Sequence, residues 1–247
     1  PLSLKEIQGD SGGAKIDPYI DTMLRYGTMP GIYRKREDQM EDDLNEMVES
    51  YLYKDILSFE DVKKASKVID LLKVIALQIG SEVSLNEIAN HIRLNQRTVE
   101  KYLDLLEKVF IIQSVSAFSN NPRNEIKNKK KYYFYDLGVR NALIRNHNKL
   151  EIRNDIGQLW ENFVYMELIK SLTYSRRSFA IFFWRNYQGQ EVDFVYQVNN
   201  RFQGIECKFQ SSNIKIPSDF RREYPEIPFE VVTRKKYQKL LRIETIK

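Results

Sequence analysis

Cysteine occurs once in this chain of 247 residues, histidine and tryptophan twice each, proline seven times and glycine ten. A lone Cys207 forms no intrachain disulfide and excludes a zinc site built from several thiolates. The expected compartment is therefore the cytoplasm. His91 and His147 have no clustered partners in the sequence, so core packing or exposure is expected of them rather than metal binding. Long apolar runs are also missing: the stretch from Val68 to Ile79 is broken by Lys73, and no membrane span is expected. The chain opens on Pro1 without a basic-then-apolar leader, the pattern of a fragment whose upstream part is missing.

What is present describes a folded protein. Apolar residues make up 42% and charged residues 30%, too many anchors for a disordered chain. The length suits more than one domain. A net charge of +5 mildly favours an anionic partner, and the placement of the charges must decide which.

The opening PLSLKEIQGDSGGAKID contains a glycine cluster but neither Gly-Lys-Ser/Thr nor a preceding strand, so it is expected to be a flexible linker and this chain is not expected to bind ATP. Helical patterns follow from Pro18 to about Ser58 and from Phe59 to Gly80. In VSLNEIANHIRLNQRTVEKYLDLLEKVFII, Ser84 with Glu87 makes a capping box and Asn95 can cap a second helix. Leu85, Ile88, Ala89, Ile92 and Leu94 form one apolar face, and Val99, Tyr102, Leu103 and Leu106 the other. With strands expected at 111–118 and 132–136, this order reads as a winged helix. Its loop carries Arg123, Lys127, Lys129, Lys130 and Lys131 against a single Glu125, a local positive charge suited to phosphate contacts that Arg97 and Lys101 would support. The alternative is a solvated loop on a winged helix that contacts proteins.

EVDFVYQVNNRFQGIECKF reads as a hairpin around Asn199-Asn200. That turn sets Val198 opposite Arg201, Asp193 opposite Glu206 and Glu191 opposite Lys208, with Val192, Phe194, Ile205, Cys207 and Phe209 on the other face. Facing carboxylates about 5 Å apart at Cβ repel by roughly 3 kcal/mol at an effective dielectric near 20. A hard divalent cation such as Mg²⁺ removes that penalty. Hydration on an exposed face, or pairing with Lys208, is the alternative. Upstream, IGQLWENFVYMELIKSL is apolar nearly all round and predicts a buried helix, in which Glu161 requires a partner or a function unless it lies exposed near the helix start. The order from this helix onward is α-β-β-β-α-β.

That order, with Glu161, Asp193 and the pair Glu206-x-Lys208, resembles the PD-(D/E)xK nuclease fold. PLSLKEI, LRYGTMPGIY, YFYDLGVRNAL, WENFVYMEL and EVDFVY together resemble the C-terminal portion of a family of predicted prokaryotic AAA+ ATPases ending in an uncharacterised conserved domain. The resemblance implies a mixed architecture: a linker and helical lid remnant over 1–75, a winged helix over 76–149 and an α/β nuclease-like domain over 150–247. It implies a missing nucleotide-binding domain upstream, with a homo-oligomer as one arrangement. Asp193, Glu206 and the Cys207 carbonyl would hold Mg²⁺, joined by Glu161, and Lys208 would orient water or neutralise charge on a scissile phosphate. The expected activity is DNA binding with Mg²⁺-dependent phosphodiester hydrolysis; the alternative is a noncatalytic module, binding DNA or a protein, coupled to the ATPase.

Overall fold

Side-chain caps decide where several helices of the chain begin, and the computed structural model shows them in place. It describes residues 1–10, 12, 16–57, 65–119, 130–210 and 215–238. Two compact units result, the second taking Asn154–Lys247 with short earlier segments. No helix among the described residues is long and apolar enough to cross a membrane.

The first unit is built from α2 (Ile20–Tyr26), α3 (Glu37–Leu57), α4 (Ala65–Leu77), β1 (Glu82–Val83), α5 (Leu85–Ile92), α6 (Gln96–Lys108), the start of β2 (Ile112–Ala117), β3 (Lys130–Phe134) and α7 (Leu137–Leu143). Ser84 accepts the Glu87 N–H to start α5, and Asn95 accepts the Thr98 N–H at 2.8 Å to start α6. Arg93 ends α5 in the left-handed region at φ 56°. The strands adjoin in the order β1-β3-β2.

Asp136 ties two distant segments of this unit. Its Oδ1 accepts the Val139 N–H and caps α7, while its Oδ2 accepts the Thr28 N–H at 2.8 Å. Gly27, at φ 74°, and Gly138 leave the room this requires. A Cβ on Gly27 would lie 2.0 Å from Asp136 Oδ1, and one on Gly138 would lie 2.2 Å from the Tyr26 carbonyl oxygen. Buried Asn141 donates to the Leu24 and Arg25 carbonyls at 2.9 and 2.8 Å, and Arg140 donates to the Ala76 carbonyl. LRYGT and DLGVRNAL are thus two halves of one joint.

The opening segment departs from the linker expectation. Leu4–Asp10 forms α1, because Leu4 and Ile7, one turn apart, are both buried.

The second unit runs α8 (Ile156–Tyr174), β4 (Phe179–Arg185), β5 (Glu191–Val198), β6 (Arg201–Lys208), α9 (Ser218–Glu223), β7 (Phe229–Thr233), the order α-β-β-β-α-β. Its sheet is mixed. β4, β5 and β6 are successively antiparallel, β7 lies parallel to β6, and Ser116 and Ala117 at the end of β2 lie parallel to β4. Asn199 and Asn200 take φ 50° and 63°, the twist a tight hairpin needs, and Val198 pairs with Arg201. α8 packs on one face of the sheet, with Tyr165 stacked on Phe194 at 5.4 Å and Trp160 Nε1 donating to the Val232 carbonyl. Phe220 and Tyr224 of α9 and its exit pack with Trp184, Val192 and Val195.

Candidate functional site

The hairpin register brings Asp193 and Glu206 together as expected, but not on a solvated face. Pairing through Phe194 and Ile205 leaves Asp193 and Glu206 as the next facing positions. Both are buried, at 9% and 8% exposure. Their side of the hairpin is also the side of Val195 and Gly204, where a Cβ on Gly204 would lie 3.6 Å from Phe220 Cε1 of α9. Burial removes hydration as the way these carboxylates are satisfied.

Each carboxylate has a defined contact. Asp193 Oδ2 accepts the Cys207 N–H at 2.6 Å. Glu206 Oε1 lies 2.7 Å from Lys208 Nζ, an ammonium that remains 43% exposed while its partner is 11% exposed. Glu206 Oε2 is buried without a hydrogen-bond partner. Burial first, and then the Asp193 charge, push the Glu206 carboxyl up to about 7, against the pull of Lys208. Burial works against the charge on Lys208, but Glu206 and Asp193 prevail and hold its pKa above the ordinary lysine value.

One neighbour escaped the sequence. Thr233 of β7 stands at the register position of Lys208, so strand alternation puts it on the face of Glu206 and Lys208. It is buried, and its Oγ1 has no hydrogen-bond partner. A threonine at the end of the apolar strand FEVVT carries no signal until the parallel pairing is known.

Glu161 does not join this group. Among the described residues, no set of three or more His, Cys, Asp or Glu side chains is arranged to hold a metal ion. Glu161 is half-buried on α8 and is itself engaged in an interaction. The buried carboxylate of that helix is Glu167, which accepts the Leu4 N–H and pairs with Lys170, both at 2.9 Å. A helix that is apolar nearly all round offers no face by which the sequence could rank the two. What this face gathers is Asp193, Glu206, Lys208 and Thr233. An orphaned carboxylate oxygen and an orphaned hydroxyl fit a hard divalent ion, which uses one or two carboxylates and retains waters.

The expected nucleic-acid residues divide. Arg97 and Lys101 are exposed on α6. Arg123, Lys127 and Lys129 lie outside the described residues. Lys130 is half-buried, and Lys131 is buried at 2% exposure, which removes it from any phosphate-binding surface. The reason is its strand: β3 lies between β1 and β2, and the residues from Lys131 to Phe134 are all buried. Of the histidines, His91 is exposed and His147 is buried, stacked on Tyr26 at 5.4 Å.

Comparison with known proteins places these features. An uncharacterized protein of Haemophilus influenzae is 24% identical over 219 residues, 85% of this chain and 52% of the relative. The uncharacterized protein Rv2008c of Mycobacterium tuberculosis is 25% identical over 135 residues, 54% of this chain and 30% of the relative. The chain thus spans about half the length of the first relative and less than a third of the second. No solved structure gives a significant match. Residues 156–245, which hold the carboxylates, match the domain of unknown function DUF4143. Residues 17–150, more than half of the chain, match the domain of unknown function DUF8612, and the chain belongs to that family.

Proposed function

We propose that this chain is the C-terminal region of an AAA+-type ATPase, and that its second unit is a PD-(D/E)xK nuclease-like module hydrolysing a phosphodiester bond of DNA with Mg²⁺. The observation that carries the reading is the buried pair Asp193 and Glu206 beside Lys208, with Glu206 Oε2 left without a partner. Packing alone gives no reason to bury two like charges side by side. Asp193, Glu206, the Cys207 carbonyl and Thr233 would hold the ion, which supplies a polarised phosphate and an acidified water. Lys208, tethered to Glu206 yet 43% exposed, reaches a phosphate from the solvent side and neutralises its developing charge. The Cys207 N–H holds the Asp193 carboxylate in position. Arg97 and Lys101 contribute sequence-tolerant affinity for DNA. ATP is bound outside this chain, by the domain that the family resemblance puts upstream.

A second reading, a noncatalytic module that binds DNA or a protein partner for the ATPase, is favoured by Glu161 standing apart and by Lys208 already neutralising Glu206. The two separate when wild type and Lys208→Ala are compared on branched, single-stranded and duplex DNA with Mg²⁺. Cleavage by wild type, lowered about 100-fold or more in the variant, supports the enzyme. Binding without cleavage by either supports the module.

A further inference from the structure

The turn between β4 and β5 holds Tyr187, whose side chain is fully exposed. Its neighbours Asn186, Gln188, Gly189 and Gln190 are polar, so the ring is not part of an apolar patch of the kind that docks proteins. The turn is nevertheless held firmly. Gln190 N donates to Asn186 Oδ1 at 2.8 Å, and Asn186 Nδ2 donates to Asp219 Oδ2 at 2.6 Å. Gln190 Nε2 donates to the same Asp219 oxygen, and Gln190 Oε1 accepts the Asp219 N–H at 3.1 Å.

The carboxylate that braces this turn also fixes a cation. Asp219 Oδ1 accepts from Arg222 Nη2 at 2.8 Å, and the Arg222 side chain remains 78% exposed. A presented ring and a presented guanidinium therefore share one anchor. The turn leads directly into Glu191, whose charge acts on Glu206, so both groups belong to the end of the hairpin that carries the buried carboxylates.

We infer that Tyr187 and Arg222 form a platform for single-stranded nucleic acid, an unpaired base stacking on the Tyr187 ring while Arg222 meets a phosphate. The inference rests on the proposed reading of the Asp193–Glu206 site and adds the form of its substrate. Only an unpaired strand offers base faces to a protruding ring, since those of a duplex are already stacked. The braced turn and the Asp219–Arg222 pair hold the backbone and the guanidinium that present these groups.

The test uses the full chain without divalent cation, so that binding is measured apart from cleavage. Fluorescence anisotropy follows a labelled oligothymidylate of about 20 nucleotides and the same strand in a duplex. Wild type prefers the single strand. Tyr187→Ala weakens single-strand binding about fivefold or more and leaves duplex binding and the melting temperature unchanged, while Tyr187→Phe binds as wild type. Arg222→Ala lowers the salt dependence by about one phosphate contact, ~0.7 in slope. Unchanged single-strand affinity in Tyr187→Ala overturns the platform alone if Mg²⁺-dependent cleavage persists; a wild type that neither binds nor cleaves overturns the site reading with it. A Tyr187-dependent change in sedimentation with no effect on the oligonucleotide assigns the ring to a protein contact and likewise overturns the proposal.

Discussion

The Cys207 N–H donates to Asp193 Oδ2 at 2.6 Å, so the strand that carries Glu206 and Lys208 also holds the Asp193 charge in place. Position along the chain, hydrogen bonding and charge repulsion thereby converge on three successive residues of β6. The consequences can be measured, because Trp160 and Trp184 are the chain's two tryptophans and both lie in the second unit, so that tryptophan emission, excited selectively over tyrosine, reports on that unit.

Glu206 should make the second unit less stable as pH rises. An ordinary glutamate ionises near 4.5 and the folded Glu206 near 7, so the fold binds an extra proton between these values. Stability is full below about 4.5 and falls as pH rises through 7, by roughly 3 kcal/mol in all. Urea melts followed by tryptophan fluorescence from pH 4.5 to 8 should show this decline, and Glu206→Gln should flatten it.

Divalent cation should offset that loss. Mn²⁺ at about a hundredfold excess over its dissociation constant raises stability by about 2–3 kcal/mol. Asp193→Asn abolishes the gain, whereas Glu161→Gln retains it, because Glu161 is not gathered with the other carboxylates. Loss of the gain in Glu161→Gln would restore that residue to the ligand set.

Thr233→Val should separate folding from binding. Replacing a buried, unpartnered hydroxyl with a methyl group removes a desolvation penalty and raises metal-free stability by about 1 kcal/mol. The same change weakens Mn²⁺ binding measured calorimetrically. A variant that is destabilised and binds Mn²⁺ normally would exclude Thr233 from the site.

The first unit should be acid-sensitive through His147. Burial lowers its pKa below the ordinary histidine value, so its contribution is present above about 6.5 and is lost as pH falls into and below that range. Amide protection factors in α2 and α7, taken relative to intrinsic exchange at each pH, should fall under mild acid, and His147→Phe should remove that dependence while giving a less stable protein overall.

Asp136→Ala should cost about 2–4 kcal/mol, by removing a helix cap and leaving the buried Thr28 N–H without its acceptor. Gly138→Ala should be at least as damaging, since its methyl group meets the Tyr26 backbone rather than a movable side chain. Thermal melts by circular dichroism would show both.

The sequence made local features legible and hid those set by distant pairing. Ser84, Asn95 and the Asn199-Asn200 turn act on their own neighbours, and each was readable from spacing. Phe194 facing Ile205 followed from that turn. Thr233 was invisible because its position depends on β7 lying parallel to β6, and Glu167 because α8 offers no polar stripe. Lys131 looked like one more basic loop residue, yet a central strand buries it. The α1 helix was masked by the glycine cluster that follows it, whereas its stability comes from burying Leu4 and Ile7.

The joint around Asp136 bears on how such chains can diverge. Gly27 and Gly138 each vacate space around the same short stretch of backbone and carboxylate. A side chain gained at either position cannot be accommodated by adjusting the other alone, so the three positions form a mutual constraint. Relatives that have altered one of them should have rebuilt the whole junction, and hybrids that exchange only one segment between such relatives should misfold.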